Sequence, residues 1–110
     1  MSEQCDWLLQ VPINPDDMET WTNNRAAHVA HLKPYIEAGT IVFAGPTLAT
    51  HPKTPDDEMK ITGSVMVFKA GSAEEVRAIV KENPFVGVGI WDMEQTTVTP
   101  FLCAVRRPAA

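Results

Sequence analysis

Apolar and polar positions alternate along the chain in blocks that predict four strands and two helices. Short apolar runs bounded by glycine or proline predict strands at residues 7–11, 40–44, 63–68 and 96–104. Apolar residues spaced by threes and fours predict amphipathic helices at residues 14–39 and 72–83. An Asn-Pro-Asp-Asp run opens the first helix, and a Ser-x-x-Glu capping box opens the second. The order of elements is therefore β-α-β-β-α-β.

This order is typical of the ferredoxin-like α+β fold, a four-stranded antiparallel sheet with two helices on one face. At 110 residues the chain is long enough for a single domain, residues 1–110, and too short for two. The strands carry apolar residues on both sides, but two helices cover only one face of the sheet. We therefore expect a second copy on the other face, which predicts a homodimer or a higher even oligomer.

A polar, proline-bearing segment at residues 47–62 separates the second and third strands. Gly45 and Pro46 come just before it, and we expect them to end the second strand. A loop of this length is uncommon in a compact domain unless it has a use. We interpret the segment as a flap.

The first helix carries a polar pair inside its apolar stripe, which consists of Met18, Trp21, Arg25, His28, Leu32 and Tyr35. Removal from water costs more free energy for Arg25 and His28 than for the apolar residues of the stripe. Their position therefore predicts a polar cleft under the helix. Two simpler interpretations remain open. His28 could be a core histidine bonded to a backbone carbonyl, and Arg25 could reach solvent or pair with Glu82. His31 falls off the stripe and is expected to be exposed.

Composition narrows the class of protein. A net charge of −5, with no basic cluster outside the tail Arg106-Arg107, argues against a nucleic-acid or membrane partner. The chain shows neither a membrane span nor a leader pattern, so we expect a cytoplasmic protein. Cys5 and Cys103 lack metal-ligand spacing and are expected to be free thiols. No phosphate loop or dinucleotide fingerprint is present, so neither a metal nor a cofactor is expected.

Five short segments resemble, in order, the successive signatures of the YCII-related family: Arg25-Ala-Ala-His28-Val29, Ala38-Gly39 through Gly45-Pro46, Ile61-Thr62-Gly63-Ser64, Asn83-Pro84-Phe85 and Val98-Thr99-Pro100-Phe101. The match runs from about residue 6 to residue 105. The resemblance implies a dimeric α+β barrel of the ferredoxin-like type, similar to muconolactone isomerase. It also implies chemistry on small oxidised rings, including dehydrochlorination of a chlorinated hydroxyquinol, with a His-Asp pair as the catalytic dyad.

Carried onto this chain, the family histidine falls on His28, and the first position of the family's Asp-Pro-Tyr motif falls on Asn83. An amide accepts a hydrogen bond from an imidazole N–H but brings no negative charge. His28 is therefore expected to be a weaker base than the dyad histidine. Asp92 could replace the missing carboxylate, and the alternative is that Asp92 is a solvated turn residue.

These patterns predict a cofactor-independent isomerase or lyase in which His28, beside Asn83, transfers a proton on a small cyclic carbonyl, quinol or lactone compound. The predicted substrate-binding residues are Arg25 for an anionic oxygen, Ser64 for a ring oxygen, and Phe85 and Trp91 as walls for a planar ring. The arginine is equally compatible with an internal ion pair, the serine with a backbone bond, and the aromatic residues with the core or a dimer interface.

Two other functions remain open. The first is a non-catalytic small-molecule-binding barrel, for which the missing dyad aspartate is the argument. The second is a structural dimerisation module, in which the polar pair on the first helix would be sealed.

Overall fold

The computed structural model describes residues 4–13 and 17–105. Its elements are β1 (Cys5–Pro12), α1 (Met18–Glu37), β2 (Ile41–Leu48), β3 (Ile61–Ala70), α2 (Ala73–Lys81), α3 (Pro84–Gly87) and β4 (Thr97–Phe101). The strands form one antiparallel sheet in the order β2-β3-β1-β4, so the first and last strands are neighbours. The helices pack on one face of this sheet. The predicted ferredoxin-like α+β fold is therefore confirmed.

The hydrophobic core lies between that face and the helices. Leu9 of β1 pairs with Met66 of β3, and both side chains are fully buried. Helix α2 adds Val76 and Val80 from its apolar stripe. Each of these side chains stabilises the fold by about 1.5–3 kcal/mol on burial.

The opposite face of the sheet also carries apolar side chains. Phe43 of β2 pairs with Val67 of β3 on this face, and Phe43 remains 60% exposed. Phe101 of β4 is 42% exposed. The pairing partner that we expect here, a second copy of the chain, stays a prediction.

The expectation that Gly45 and Pro46 end the second strand is wrong. β2 continues through both residues to Leu48 and stays paired with β3. β2 lies at the edge of the sheet, where half of the backbone N–H groups have no neighbouring strand to bind. A proline, which lacks an N–H, therefore costs the sheet little at this position.

The loop between β2 and β3 is shorter than predicted, because both strands extend into it. It spans residues 49–60 rather than 47–62. The Asp57 carboxylate accepts hydrogen bonds from the backbone N–H groups of Lys53 and Thr54 at 2.7 and 3.2 Å, and these bonds lower the pKa of Asp57. The loop therefore has its own local structure, and its role as a flap stays a prediction.

Both long helices form where the pattern predicts them. The predicted start of the first helix, at Asn14, lies outside the described residues. The predicted Ser72 cap of α2 is present, because its hydroxyl accepts from the Glu75 N–H at 3.2 Å. The Glu75 carboxylate accepts from the N–H of Gly71, one residue before the cap, at 2.9 Å. None of the described helices combines the length and apolar character needed to cross a bilayer.

Candidate active site

Asn83 lies just after α2 and caps the short helix α3. Its side-chain oxygen accepts a hydrogen bond from the Phe85 N–H at 2.9 Å, and Pro84 occupies the first helical position. An asparagine cap followed by proline is a favourable helix start. Asn83 is only 1% exposed, so its amide group must find all its partners inside the protein.

The same side-chain oxygen of Asn83 lies 3.0 Å from Nδ1 of His28. A backbone N–H can only donate, so the atom that faces the Phe85 N–H must be the oxygen, and the orientation of the amide follows. Nδ1 of His28 must therefore carry a hydrogen to bond this oxygen. Neutral His28 holds its proton on Nδ1 and keeps the lone pair on Nε2.

Nε2 of His28 remains available to another molecule. Within the described part of the chain it makes no hydrogen bond, and it is not among the side-chain atoms sealed from solvent. His28 lines a cavity of about 210 Å³ between α1, α3 and the strands β2 and β3. A cavity is therefore present under the first helix, but its lining is mostly apolar rather than polar; its polar residues are Arg25, His28 and Ser64.

Two buried aromatic residues hold the imidazole ring in place. The His28 ring stacks on Phe85 with ring centroids 4.2 Å apart, and it forms a T-shaped contact with Trp91 with centroids 5.0 Å apart. Phe85 and Trp91 are 1% and 2% exposed, and both also line the cavity. Phe85 and Trp91 therefore belong both to the core and to the cavity wall, two roles that the sequence left open as alternatives. This packing restricts rotation of the base.

The surroundings of His28 favour its neutral form. Burial lowers its pKa below the ordinary 6.5, because the charged ring loses water. The hydrogen bond to Asn83 acts in the opposite direction, and the positive charges of His31 and Arg25 lower the pKa further. His28 is therefore uncharged at neutral pH, as a proton acceptor must be.

The expectation that His31 is exposed is wrong. It is half-buried, and its Nδ1 accepts a hydrogen bond from the Asn83 amide nitrogen at 3.1 Å. Its proton therefore sits on Nε2, which is sealed from solvent and has no partner among the described residues. Burial lowers the pKa of His31, and the carboxylate of Glu82 opposes this. Asn83 thus bridges two histidines. Their three-residue spacing on one helix was the sequence signal for this arrangement.

Arg25 lines the same cavity as His28, one helical turn before it. Its side chain is exposed and forms no ion pair or hydrogen bond with any residue in the described ranges. The internal pairing with Glu82 that the sequence left open is therefore not formed. A free guanidinium beside an aromatic cavity can bind an anionic oxygen.

The remaining candidate residues are Ser64 and Asp92. Ser64 lines the cavity, and its hydroxyl donates to the Gly45 carbonyl over a long 3.4 Å. Asp92 is exposed, and its carboxylate accepts from the Glu94 N–H at 2.9 Å, which is typical of a solvated turn residue. Across the described residues, no group of three or more His, Cys, Asp or Glu side chains is placed to hold a metal ion.

Sequence reasoning missed the cavity residues that come from β2 and from the loop. Pro46 lines the cavity because β2 continues past Ala44, and Met59 reaches it from the loop. Neither residue carries a chemical signal in the sequence. Trp21 and Leu32, in contrast, belong to the apolar stripe that predicted the cleft.

The YCII-related domain matches residues 6–102. The chain belongs to the YCII-related family. Derivative of benzaldehyde biosynthesis cluster protein C of Emericella nidulans is 47% identical over 89 residues, which cover 81% of this chain and 91% of that protein. Xenovulene A biosynthesis cluster protein asL2 of Sarocladium schorii is 36% identical over 110 residues, which cover 96% of this chain and 95% of that protein.

A solved structure shares the fold. It is 5-chloro-2-hydroxyhydroquinone dehydrochlorinase (TftG) from Burkholderia phenoliruptrix in complex with 2,5-dihydroxybenzoquinone. The TM-score is 0.72 and the identity 31%, over 87% of this chain and 92% of that chain. The family predicted from the five segments is therefore confirmed, and its relatives belong to small-molecule metabolism.

Proposed function

We propose that this protein is a cofactor-independent isomerase or lyase that acts on a small cyclic carbonyl, quinol or lactone compound. The observation that carries the proposal is the bond between Nδ1 of His28 and the Asn83 oxygen, which leaves Nε2 free beside an aromatic-walled cavity. The neighbouring dehydrochlorinase binds a compound of this class, a dihydroxybenzoquinone.

The lining of the cavity suits a planar ring with an anionic oxygen. Phe85 and Trp91 supply flat apolar surfaces. Arg25 supplies a positive charge at the same cavity, and Ser64 supplies a hydroxyl. Binding would place an enolate or phenolate oxygen near Arg25 and a ring carbon near His28.

The proposed first step is removal of a proton next to a carbonyl group. Nε2 of His28 takes the proton, the C–H electron pair forms the C=C bond of the enolate, and the carbonyl π pair moves onto the oxygen, where Arg25 stabilises the negative charge. A quinol enters this step as its keto tautomer, which supplies the carbonyl group and the adjacent C–H. In an isomerase, the imidazolium returns the proton to another carbon of the conjugated system. In a lyase, the enolate re-forms the carbonyl and expels a halide or hydroxide from the neighbouring carbon, and the imidazolium later releases its proton to water.

Asn83 sets the limits of this chemistry. Its oxygen holds His28 in the productive tautomer, but a neutral amide stabilises an imidazolium less than a carboxylate would. The substrate should therefore carry a C–H that its own carbonyl or quinol group already makes acidic.

Turnover of 5-chloro-2-hydroxyhydroquinone, the compound in the name of the neighbouring enzyme, tests the proposal through chloride release. We expect the native protein to release chloride and His28→Gln to lose activity by roughly 10²–10⁴-fold, the usual contribution of a general base. Lys33→Gln changes an exposed residue of the same helix that lines none of the described cavities, so it should keep full activity.

A non-catalytic small-molecule binder is the second candidate, favoured by the amide that stands where the family dyad has a carboxylate. Binding of 2,5-dihydroxybenzoquinone without turnover of quinols, cyclic ketones or lactones would select it. A chloride-release rate in His28→Gln equal to that of the native protein would contradict His28 as the base.

A further inference from the structure

A second cavity lies directly beside the one that contains His28. It measures about 460 Å³ and is formed by the first turns of α1 and the loop at residues 49–60. Trp21, Met59 and Ile61 line both cavities. The two spaces therefore share a wall rather than lying in separate parts of the fold.

The shared wall combines two well-packed residues and one adaptable residue. Ile61 is 1% exposed, and Trp21 is half-buried with its ring 6.1 Å from that of Phe85. Met59 is 50% exposed and lies in the loop. A methionine side chain has several rotatable bonds and fits irregular partners. A substituent on a bound ring could displace Met59 and extend from the first cavity into the second.

The size of the first cavity supports this arrangement. Sites for small organic ligands usually measure about 300–1,000 Å³. The cavity beside His28, at about 210 Å³, is below that range, whereas the two cavities together are well within it. The first cavity alone suits one ring with small substituents.

The two cavities differ in charge. Arg25 gives the first a positive group, whereas Glu19 and Glu58 give the second two exposed carboxylates. The shared wall and Met18 are apolar, and the other two lining residues, Thr22 and Asn23, are polar but uncharged. An anionic oxygen is therefore favoured in the first cavity and disfavoured in the second, where an uncharged apolar chain fits best.

We propose that the substrate carries an uncharged apolar side chain that binds in this second cavity while its ring lies beside His28. The inference rests on the proposed function, because it describes another part of the same substrate. It assigns a subsite to Met18, Met59 and Ile61 and makes chain length and charge the specificity determinants.

Calorimetric titration with two probes tests the inference: 2,5-dihydroxybenzoquinone and the same quinone with a hexyl chain on a ring carbon. If about three methylene groups leave water at about 0.8 kcal/mol each, the hexyl compound should bind about fifty-fold more tightly. A chain of the same length ending in a carboxylate should lose most of this gain, because Glu19 and Glu58 repel it.

Thr22→Trp is the informative variant. Thr22 is exposed and lines the second cavity but not the first, so a large ring there should fill the subsite. We expect the advantage of the hexyl compound to disappear while the affinity for the unsubstituted quinone stays unchanged, which also shows that the variant is folded. Ala30→Trp, on the exposed part of α1 away from the described cavities, should keep the advantage.

The outcomes separate the two proposals. Equal affinities of the native protein for both quinones, or an undiminished hexyl advantage in Thr22→Trp, would overturn the subsite alone. Failure of the native protein to bind either quinone would overturn both the subsite and the proposed ring-binding function.

Discussion

Replacing Asn83 with aspartate introduces a carboxylate at the position where the family dyad has one. The present amide oxygen lies 3.0 Å from Nδ1 of His28, and the site is 1% exposed. The Phe85 N–H would still bind one carboxylate oxygen, so the side chain should keep its place. Asn83→Asp therefore adds charge with little change of shape.

The expected effect follows from this short distance. Two unit charges about 4 Å apart attract by about 4 kcal/mol at an effective dielectric constant of about 20. One pKa unit corresponds to about 1.36 kcal/mol, so the attraction alone could raise the pKa of His28 by about three units. The cost of burying the carboxylate opposes part of this, and we expect a net rise of roughly one to three units.

His31 should respond to the same substitution. Its Nδ1 now accepts from the Asn83 amide nitrogen, and in Asn83→Asp a carboxylate oxygen would face it instead. Two acceptors repel each other, so His31 must move its proton to Nδ1 or become charged. We therefore expect the pKa of His31 to rise together with that of His28.

Nuclear magnetic resonance titration of the imidazole signals measures both changes. Asn23→Asp adds the same charge at an exposed site on α1 and should leave His28 nearly unchanged. Identical His28 curves in the native protein and Asn83→Asp would refute the contact between the two residues.

Three further predictions concern assembly and stability. Sedimentation at micromolar concentration should show a dimer or a higher even oligomer, because Phe43 and Phe101 lie exposed on the uncovered sheet face; a monomer would contradict the barrel. Burial lowers the pKa values of His28 and His31 below 6.5 in the folded protein. Below pH 6.5 the unfolded chain therefore binds more protons than the folded protein, so the free energy of unfolding decreases as the pH falls below 6.5. Denaturant midpoints should therefore fall between pH 7.5 and 5, and the His28→Gln/His31→Gln double variant should reduce this fall; an unchanged fall would exclude the two histidines as its source. Gly63→Ala should destabilise the protein by about 1–3 kcal/mol, because its Cβ would lie 2.5 Å from the Val11 carbonyl oxygen, whereas Gly87→Ala meets nothing within 4 Å and should not; equal midpoints for both variants would show that β1 and β3 are not so close.

The fold could be predicted because its signals are local. The capping box at Ser72 marks the second helix, and period-three-and-four spacing marks the first. The continuation of β2 through Pro46 could not be predicted, because a proline ends a central strand but is tolerated at an edge. Whether a strand lies at an edge is a property of the assembled sheet.

Only part of the candidate site, likewise, could be predicted from the sequence. His28 and Asn83 could be paired because the family resemblance carries the catalytic dyad onto these two positions, and because a polar group such as His28 inside an apolar stripe needs a partner. The second partner of Asn83, His31, lies at the margin of the stripe, where a small rotation of the helix decides between solvent and contact. The position of Met59 depends on the path of the loop at residues 49–60, which has no periodic pattern.

Exchange of substrate hydrogen with solvent deuterium tests the role of His28 as a base most directly. The probes are one cyclic ketone, one quinol and one unsaturated lactone, each followed by mass spectrometry with the native protein and with His28→Gln. The proposed chemistry predicts exchange into at least one probe, faster with the native protein by roughly 10²–10⁴-fold. Equal exchange rates for the two proteins on every probe would contradict it.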